Sequence, residues 1–133
     1  METYVGANFH PIADESDFWS DVYVLTVGTP FSKQTGKPET QHIIDSARLV
    51  GKKLKNSDLV ILRSTVPIGC TRETVIPILE QQSGLAAGDD FSVAYCPERT
   101  AEGRALEELR TLPQIVGGLD SRSRELAQRI FTE

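Results

Sequence analysis

Asp21-Val22-Tyr23-Val24-Leu25-Thr26-Val27, closed by Gly28-Thr29-Pro30, is the stretch from which the fold follows. β-Branched and aromatic residues run through it without polar alternation, which is the pattern of a strand covered on both faces. A polar loop follows to Glu39, and Thr40 stands where it can cap a helix running to about Lys55. Ile43, Ala47, Val50 and Leu54 recur four, three and four residues apart and make one apolar stripe, with Asp45, Arg48 and Lys52 opposite. Asn56-Ser57-Asp58 then turns the chain into a second buried strand, Leu59-Val60-Ile61-Leu62.

The same alternation continues downstream. Ser64-Thr65-Val66-Pro67-Ile68-Gly69 leads into a helix of about Thr71 to Gln82, whose buried edge is Val75, Ile78 and Leu79. Pro77 has no N–H to give, so a kink or an early helical position is expected there. A Gly-rich loop from Ser83 to Asp90 precedes a third strand, Phe91-Ser92-Val93-Ala94-Tyr95. A short helix around Arg104 to Arg110 and a fourth strand at Gln114-Ile115-Val116 follow, the latter broken by Gly117-Gly118. Asp120 can cap a last helix with Leu126, Ala127 and Ile130 inward, and Val5 to Ile12 is a further candidate strand. Strand, helix, strand, helix, strand is the rhythm of an α/β fold with a mostly parallel sheet and crossover helices.

Composition narrows the function. The net charge is −5, and no basic stripe is present to neutralise phosphates, so nucleic acid is not an expected partner. Lys52, Lys53 and Lys55 read as a solvated helix face. No stretch approaches the ~20 apolar residues of a membrane span, and Met1-Glu2-Thr3-Tyr4-Val5 has no secretory pattern. A cytoplasmic chain with free thiols at Cys70 and Cys96 is expected. Those cysteines and the scattered His10 and His42 suggest no metal site. Cys70, near a helix start, has the better setting for a reactive thiol; Cys96 reads as a core residue. His10, His42 and Trp19 read as structural.

In open α/β sheets ligands gather at the carboxyl ends of the strands. Three segments fall there: Gly28-Thr29-Pro30, Ser64 to Gly69, and Cys96-Pro97-Glu98-Arg99-Thr100-Ala101-Glu102-Gly103. The second reads either as an anion or ribose cradle, with Gly69 allowing close approach and a helix N-terminus behind it, or as a polar turn with an N-cap. In the third, Glu98 and Glu102 are four apart. They are either a pair suited to proton transfer or two solvated acids flanking Arg99.

Together with Leu112-Pro113-Gln114-Ile115-Val116-Gly117-Gly118, these segments resemble the UDP-glucose/GDP-mannose dehydrogenase family in order and spacing across Asp21 to Gly118. The resemblance implies a Rossmann-like NAD-binding domain. It implies a four-electron oxidation of a nucleotide sugar's C6 alcohol to a carboxylate, with two NAD⁺ consumed and a cysteine-held thioester hydrolysed by an activated water. Glu98 resembles the general base and Thr65 the threonine that helps hold the water. Val27, Thr29, Pro30, Ser64, Thr65 and Val66 resemble residues lining the dinucleotide, and Glu102 the glutamate near the nicotinamide. Glu98, Arg99 and Thr100 lie on the loop that approaches the sugar. Pro97-Glu98-Arg99 looks like the branch acting on UDP-N-acetylhexosamines.

The departures shape the rest of the expectation. The family opens with a strand and a G-x-G-x-x-G turn, and its catalytic cysteine and lysine lie downstream of the last matching segment; this sequence holds neither. Residues 1–133 therefore read as the second half of the dinucleotide-binding domain, with 119–133 starting the helix that leads to the next domain. A fragment of the enzyme is implied, inactive alone and expected to self-associate as part of a homo-oligomer. The competing expectation is a non-catalytic α/β half-domain serving assembly or binding.

Overall fold

The computed structural model describes residues 8–12, 18–101 and 103–132. Three short strands, β1 (Val22–Leu25), β2 (Leu59–Leu62) and β3 (Ser92–Tyr95), lie side by side and parallel. Leu25, Leu62 and Tyr95 are cross-strand partners, so the three strands end level. A two-residue strand β4 (Gly117–Gly118) pairs antiparallel with β3, and the sheet order is β1-β2-β3-β4.

Helix α1 (Gln41–Gly51) connects β1 to β2. A π-helical turn at Thr71–Val75 followed by α2 (Ile76–Ser83) connects β2 to β3. The apolar stripe of α1, Ile43, Ala47 and Val50, packs with Val75 and Leu79 onto Tyr23, Leu25, Val60, Leu62 and Val93. Pro77 sits in the first turn of α2, and the wide turn before it accommodates the missing N–H.

The other sheet face is covered by α4 (Ser121–Thr132), whose Ala127 packs on Leu59, Ile61, Ala94 and Cys96. Asp120 caps that helix as expected, its carboxylate accepting from the Ser123 N–H at 2.7 Å. Ile130 does not turn inward; it is 47% exposed, and the buried stripe is Ser123 and Ala127, flanked by Leu126 and Phe131. Because α4 lies over β2, β3 and β4, no helix among the described residues packs squarely on the second face of β1, and Val24 is 44% exposed. The expectation that β1 is covered on both faces is corrected accordingly.

Further expectations change. Thr40 makes no side-chain cap, and α1 ends at Gly51 rather than near Lys55. The reason is local: buried Asp58 takes the Lys55 N–H at 3.0 Å and its ammonium at 3.2 Å, turning the backbone out of the helix. The Lys55 ammonium also reaches Asp21 at 2.6 Å, so Lys55 is a pin between β1 and the turn before β2, not part of a solvated face. Trp19 is 77% exposed and contributes nothing to the core. Of the candidate strand at Val5 to Ile12, residues 5–7 lie outside the described residues, and 8–12 holds no strand longer than a single bridge position.

The fourth strand is the larger correction. Gln114-Ile115-Val116 belongs to no strand, and Gly117-Gly118, read from sequence as a breaker, is the strand itself. Its glycines are there for closeness. A Cβ on Gly118 would collide with the Arg124 nitrogen and sit 2.6 Å from the Asp120 oxygen and 2.7 Å from the Arg124 Cα. A Cβ on Gly117 would meet only the Tyr95 oxygen, at an ordinary 3.6 Å. We therefore expect Gly118→Ala to destabilise the chain by roughly 1–3 kcal/mol, as overpacking does, and Gly117→Ala to cost far less. Denaturant melts of the two variants check this; equal costs would contradict it.

Candidate functional site

The level ends of β1, β2 and β3 bring their following loops to one rim. The first and second loops are tied by hydroxyls. Ser64, buried, donates to the Val27 carbonyl at 2.6 Å, and Thr29 donates to the Thr65 carbonyl at 2.6 Å. The second and third loops are tied through Arg63. Its backbone N–H donates to Leu25 O at 2.9 Å, and its carbonyl accepts from the Glu98 N–H at 2.9 Å.

Glu98 is the most constrained side chain of the rim. Its Oε1 accepts from the N–H groups of Arg99 (2.8 Å) and Thr100 (2.9 Å), and its Oε2 is ion-paired with the Arg63 guanidinium. Partial burial pushes this carboxyl upward. The Thr100 and Arg99 N–H groups, the Arg63 guanidinium and the Thr100 hydroxyl outweigh it and bring the pKa down to about 2. Glu98 is thus an anion at neutral pH. A cavity of about 20 Å³ adjoins it, lined by Glu98, Thr100, Glu108, Pro113 and Gln114 among others, which is room for about one water by the ~10–15 Å³ criterion.

Arg63 was not singled out from the sequence. It lies one residue past a strand buried along its whole length and keeps only 13% of its side chain exposed. The guanidinium also reaches Gln114 Oε1 at 3.2 Å and Cys96 O at 3.5 Å, and stacks over the Phe131 ring at 5.0 Å. A cation directly after a fully buried strand was the available signal.

The remaining expected site residues are placed as follows. Val27 and Val66 are half-buried against the core beneath the rim. Pro30 and Thr65 are exposed on the rim surface, and among the described residues a Cβ on Gly28 would meet nothing within 4 Å, which leaves open space above β1. Arg99 is turned away, its guanidinium donating to Pro113 O at 3.0 Å. Glu102 lies outside the described residues, so its pairing with Glu98 stays an expectation. Glu98 is linked to Ser64 and Thr65 through the neighbouring Arg63; among the described residues it makes no direct hydrogen bond to either hydroxyl.

The anion-cradle reading of Ser64–Gly69 meets an obstacle. Gly69 takes φ +88°, and a Cβ there would lie 2.7 Å from the Glu73 carboxylate. Glu73 thus puts negative charge into the first helical turn, where an incoming anion would meet it. Neither cysteine is set up as a nucleophile. Burial raises the Cys70 thiol despite Thr74, and raises Cys96 to about 11 despite Arg63 and the Gly117 backbone. No group of three or more potential metal ligands occurs among the described residues, and no described helix is long and apolar enough to cross a membrane.

The family model described as "UDP-glucose/GDP-mannose dehydrogenase family, NAD binding domain" matches residues 8–133. The chain belongs to this family. NDP-N-acetyl-D-galactosaminuronic acid dehydrogenase of Ralstonia solanacearum is 35% identical over 118 residues, covering 84% of this chain and 28% of that protein. GDP-mannose 6-dehydrogenase of Pseudomonas putida is 38% identical over 118 residues, covering 86% of this chain and 27% of that protein. The structure of UDP-D-ManNAc dehydrogenase from Pyrococcus horikoshii superposes with a TM-score of 0.81 at 34% identity, over 89% of this chain and 28% of that one. The chain spans less than a third of the length of these relatives. Its fold is the Rossmann-like fold of the family's NAD-binding domain, and NAD is the cofactor of that domain.

Two outcomes follow from the electrostatics. Because the folded Glu98 pKa of about 2 lies below its ordinary 4.5, its stabilisation is complete above about 4.5 and is lost as pH falls towards 2. Glu98→Gln should flatten the acid limb of a stability-versus-pH curve in that window, modestly, since the side chain is 40% exposed and screened by solvent. Both thiols should resist a disulfide-exchange reagent at pH 8 in the folded chain and react fully once denatured. Rapid labelling of the folded form would contradict their raised pKa values.

Proposed function

We propose that this chain forms the cofactor-side part of an NAD-dependent nucleotide-sugar 6-dehydrogenase, in which Glu98 is the general base. The observation that carries the reading is the fixed, ionised Glu98 carboxylate on the rim where the loops after β1, β2 and β3 meet. A general base must be deprotonated before it acts and held within hydrogen-bond reach of its proton donor. In this reading Glu98 takes a proton from water during hydrolysis of the oxidised sugar intermediate, and Thr65 helps hold that water.

The residues fit a dinucleotide in a particular way. The open space above Gly28 admits a flat group, while the Ser64 and Thr29 protons are already committed to Val27 and Thr65 carbonyls. Val27, Thr29, Pro30, Ser64, Thr65 and Val66 would then line the cofactor mainly by shape and by their remaining acceptors, with Glu102 towards the nicotinamide. Bound NAD⁺ supplies the hydride acceptor. Pyrophosphate binding would have to come from elsewhere in a longer chain, since Glu73 opposes an anion at the π-helical turn.

In this proposal residues 1–133 form part of the dinucleotide-binding domain, with 119–133 leading to the next one, and the functional unit is longer than this chain. The substrate is a UDP-N-acetylhexosamine, contacted by Glu98, Arg99 and Thr100. Pro97-Glu98-Arg99 and the similarity to an NDP-N-acetyl-D-galactosaminuronic acid dehydrogenase and a UDP-D-ManNAc dehydrogenase support that choice. Because a GDP-mannose enzyme is also a relative, the two donor classes need direct comparison. The apolar residues Leu106 (82% exposed) and Leu109 (56% exposed) of helix α3 (Ala105–Thr111) favour association with further protein. The same surface supports the second reading, a non-catalytic assembly module.

The test uses the chain extended in frame to the length of its relatives. NADH formation should be faster with UDP-N-acetylmannosamine or UDP-N-acetylglucosamine than with GDP-mannose. Glu98→Gln should lower it by about 10²–10⁴-fold, as loss of a general base does. A Glu98→Gln rate close to the parent would sink the assignment of the base. The 133-residue chain alone should give no sustained NADH and no tight NAD binding by calorimetry; turnover by it would overturn the longer-unit reading.

A further inference from the structure

We propose that Arg63 is the positioning residue for Glu98, fixing its carboxylate so that Oε2 is the oxygen able to receive a proton. The inference rests on the reading of Glu98 as the base. A carboxylate oxygen has two lone pairs. Both on Oε1 are engaged by the Arg99 and Thr100 N–H groups, at 2.8 and 2.9 Å. Oε2 takes the Arg63 Nη2–H and, among the described residues, no other N–H, so its second lone pair is open to a hydroxyl, that of Thr100 or of a water. In that reading the water's proton would pass to that lone pair as the water oxygen bonds to the carbonyl carbon of the oxidised sugar intermediate, whose π pair moves onto its oxygen, and the carboxyl stays held by three N–H donors.

Arg63 can do this because it is itself immobilised from four sides. Its backbone belongs to the ladders on both flanks, through Leu25 O and the Glu98 N–H, each at 2.9 Å. Its second nitrogen, Nη1, spans to Gln114 Oε1 and Cys96 O, and Phe131 of α4 lies under the guanidinium plane. A planar fork with several donors is needed for this; an ammonium on a flexible stem would keep the charge and lose the geometry. Other described polar and charged groups around the Glu98 loop are engaged as well. The Thr100 hydroxyl lies close to the carboxylate, the Arg99 guanidinium is on Pro113 O, and Glu108, across the small cavity, accepts from the Ala101 N–H at 2.6 Å and pairs with Arg104. Among the described residues, Arg63 is the cation ion-paired with Glu98.

Carbon-detected NMR of the Glu98 carboxyl in the 133-residue chain tests the proposal without turnover. The parent should titrate near 2. Arg63→Gln should move the midpoint up by at least about 1 pH unit, as loss of an adjacent opposite charge does, and should release the Arg99 and Thr100 amide shifts that follow it. Arg63→Lys should restore the low midpoint in part while the Gln114 amide signals change. An unmoved midpoint in folded Arg63→Gln overturns the proposal. Should that variant fail to fold, Arg63→Lys carries the test. Its Glu98 midpoint should lie above the parent's, and an unmoved midpoint overturns the proposal equally. A Glu98→Gln enzyme at full rate would remove the base role and leave these titrations standing, so the two readings fail separately.

Discussion

Everything at the rim depends on the level register of three parallel strands. Leu25, Leu62 and Tyr95 are aligned partners, so each chain leaves the sheet at the same height and on the same edge. Parallel pairing also requires a crossover between strands, and α1 and the π-helical turn with α2 provide it while sealing one face with Ile43, Ala47, Val50, Val75 and Leu79. Once the ends are level, short backbone and hydroxyl bonds suffice to stitch the loops: Arg63 to Leu25, Glu98 to Arg63, Ser64 to Val27 and Thr29 to Thr65.

That stitching has an electrostatic consequence. The chain is acidic overall, yet its most constrained carboxylate sits against a guanidinium and two N–H dipoles. A mostly desolvated cation such as Arg63 needs partners on every side. Its partners come from the loop after β3, the segment before β4 and helix α4, so the rim and the second sheet face share one charged centre. Phe131 and Gln114 thereby connect the last helix to the residue proposed to do chemistry.

Much of this architecture was legible from local patterns. β2 is buried at every position because its run of Leu59 to Leu62 has no polar alternation to offer a solvent face. Residues 43, 47 and 50 gave away the inner side of α1, and Asp120 the start of α4. The misreadings have one origin. Ending α1 at Gly51 required knowing that Asp58 would be buried and would take the Lys55 N–H. Recognising Gly117-Gly118 as a strand required knowing that α4 would press on it. Placing Ile130 outside required knowing that α4 lies across β2 to β4 and no further.

By itself the sequence determined the order of elements, the inner faces of α1 and α2, and the three loops on which polar chemistry would gather, because periodicity and turn residues act over a few neighbours. The family resemblance, too, was carried by short motifs along the chain. Only the tertiary structure decided which of those polar residues touch. Arg63 and Glu98 are thirty-five positions apart, and Arg63 and Gln114 fifty-one, yet they form one cluster. Their contact depends on adjacent parallel strands ending together and on α4 folding back over the sheet, and neither distance leaves a trace in local sequence pattern.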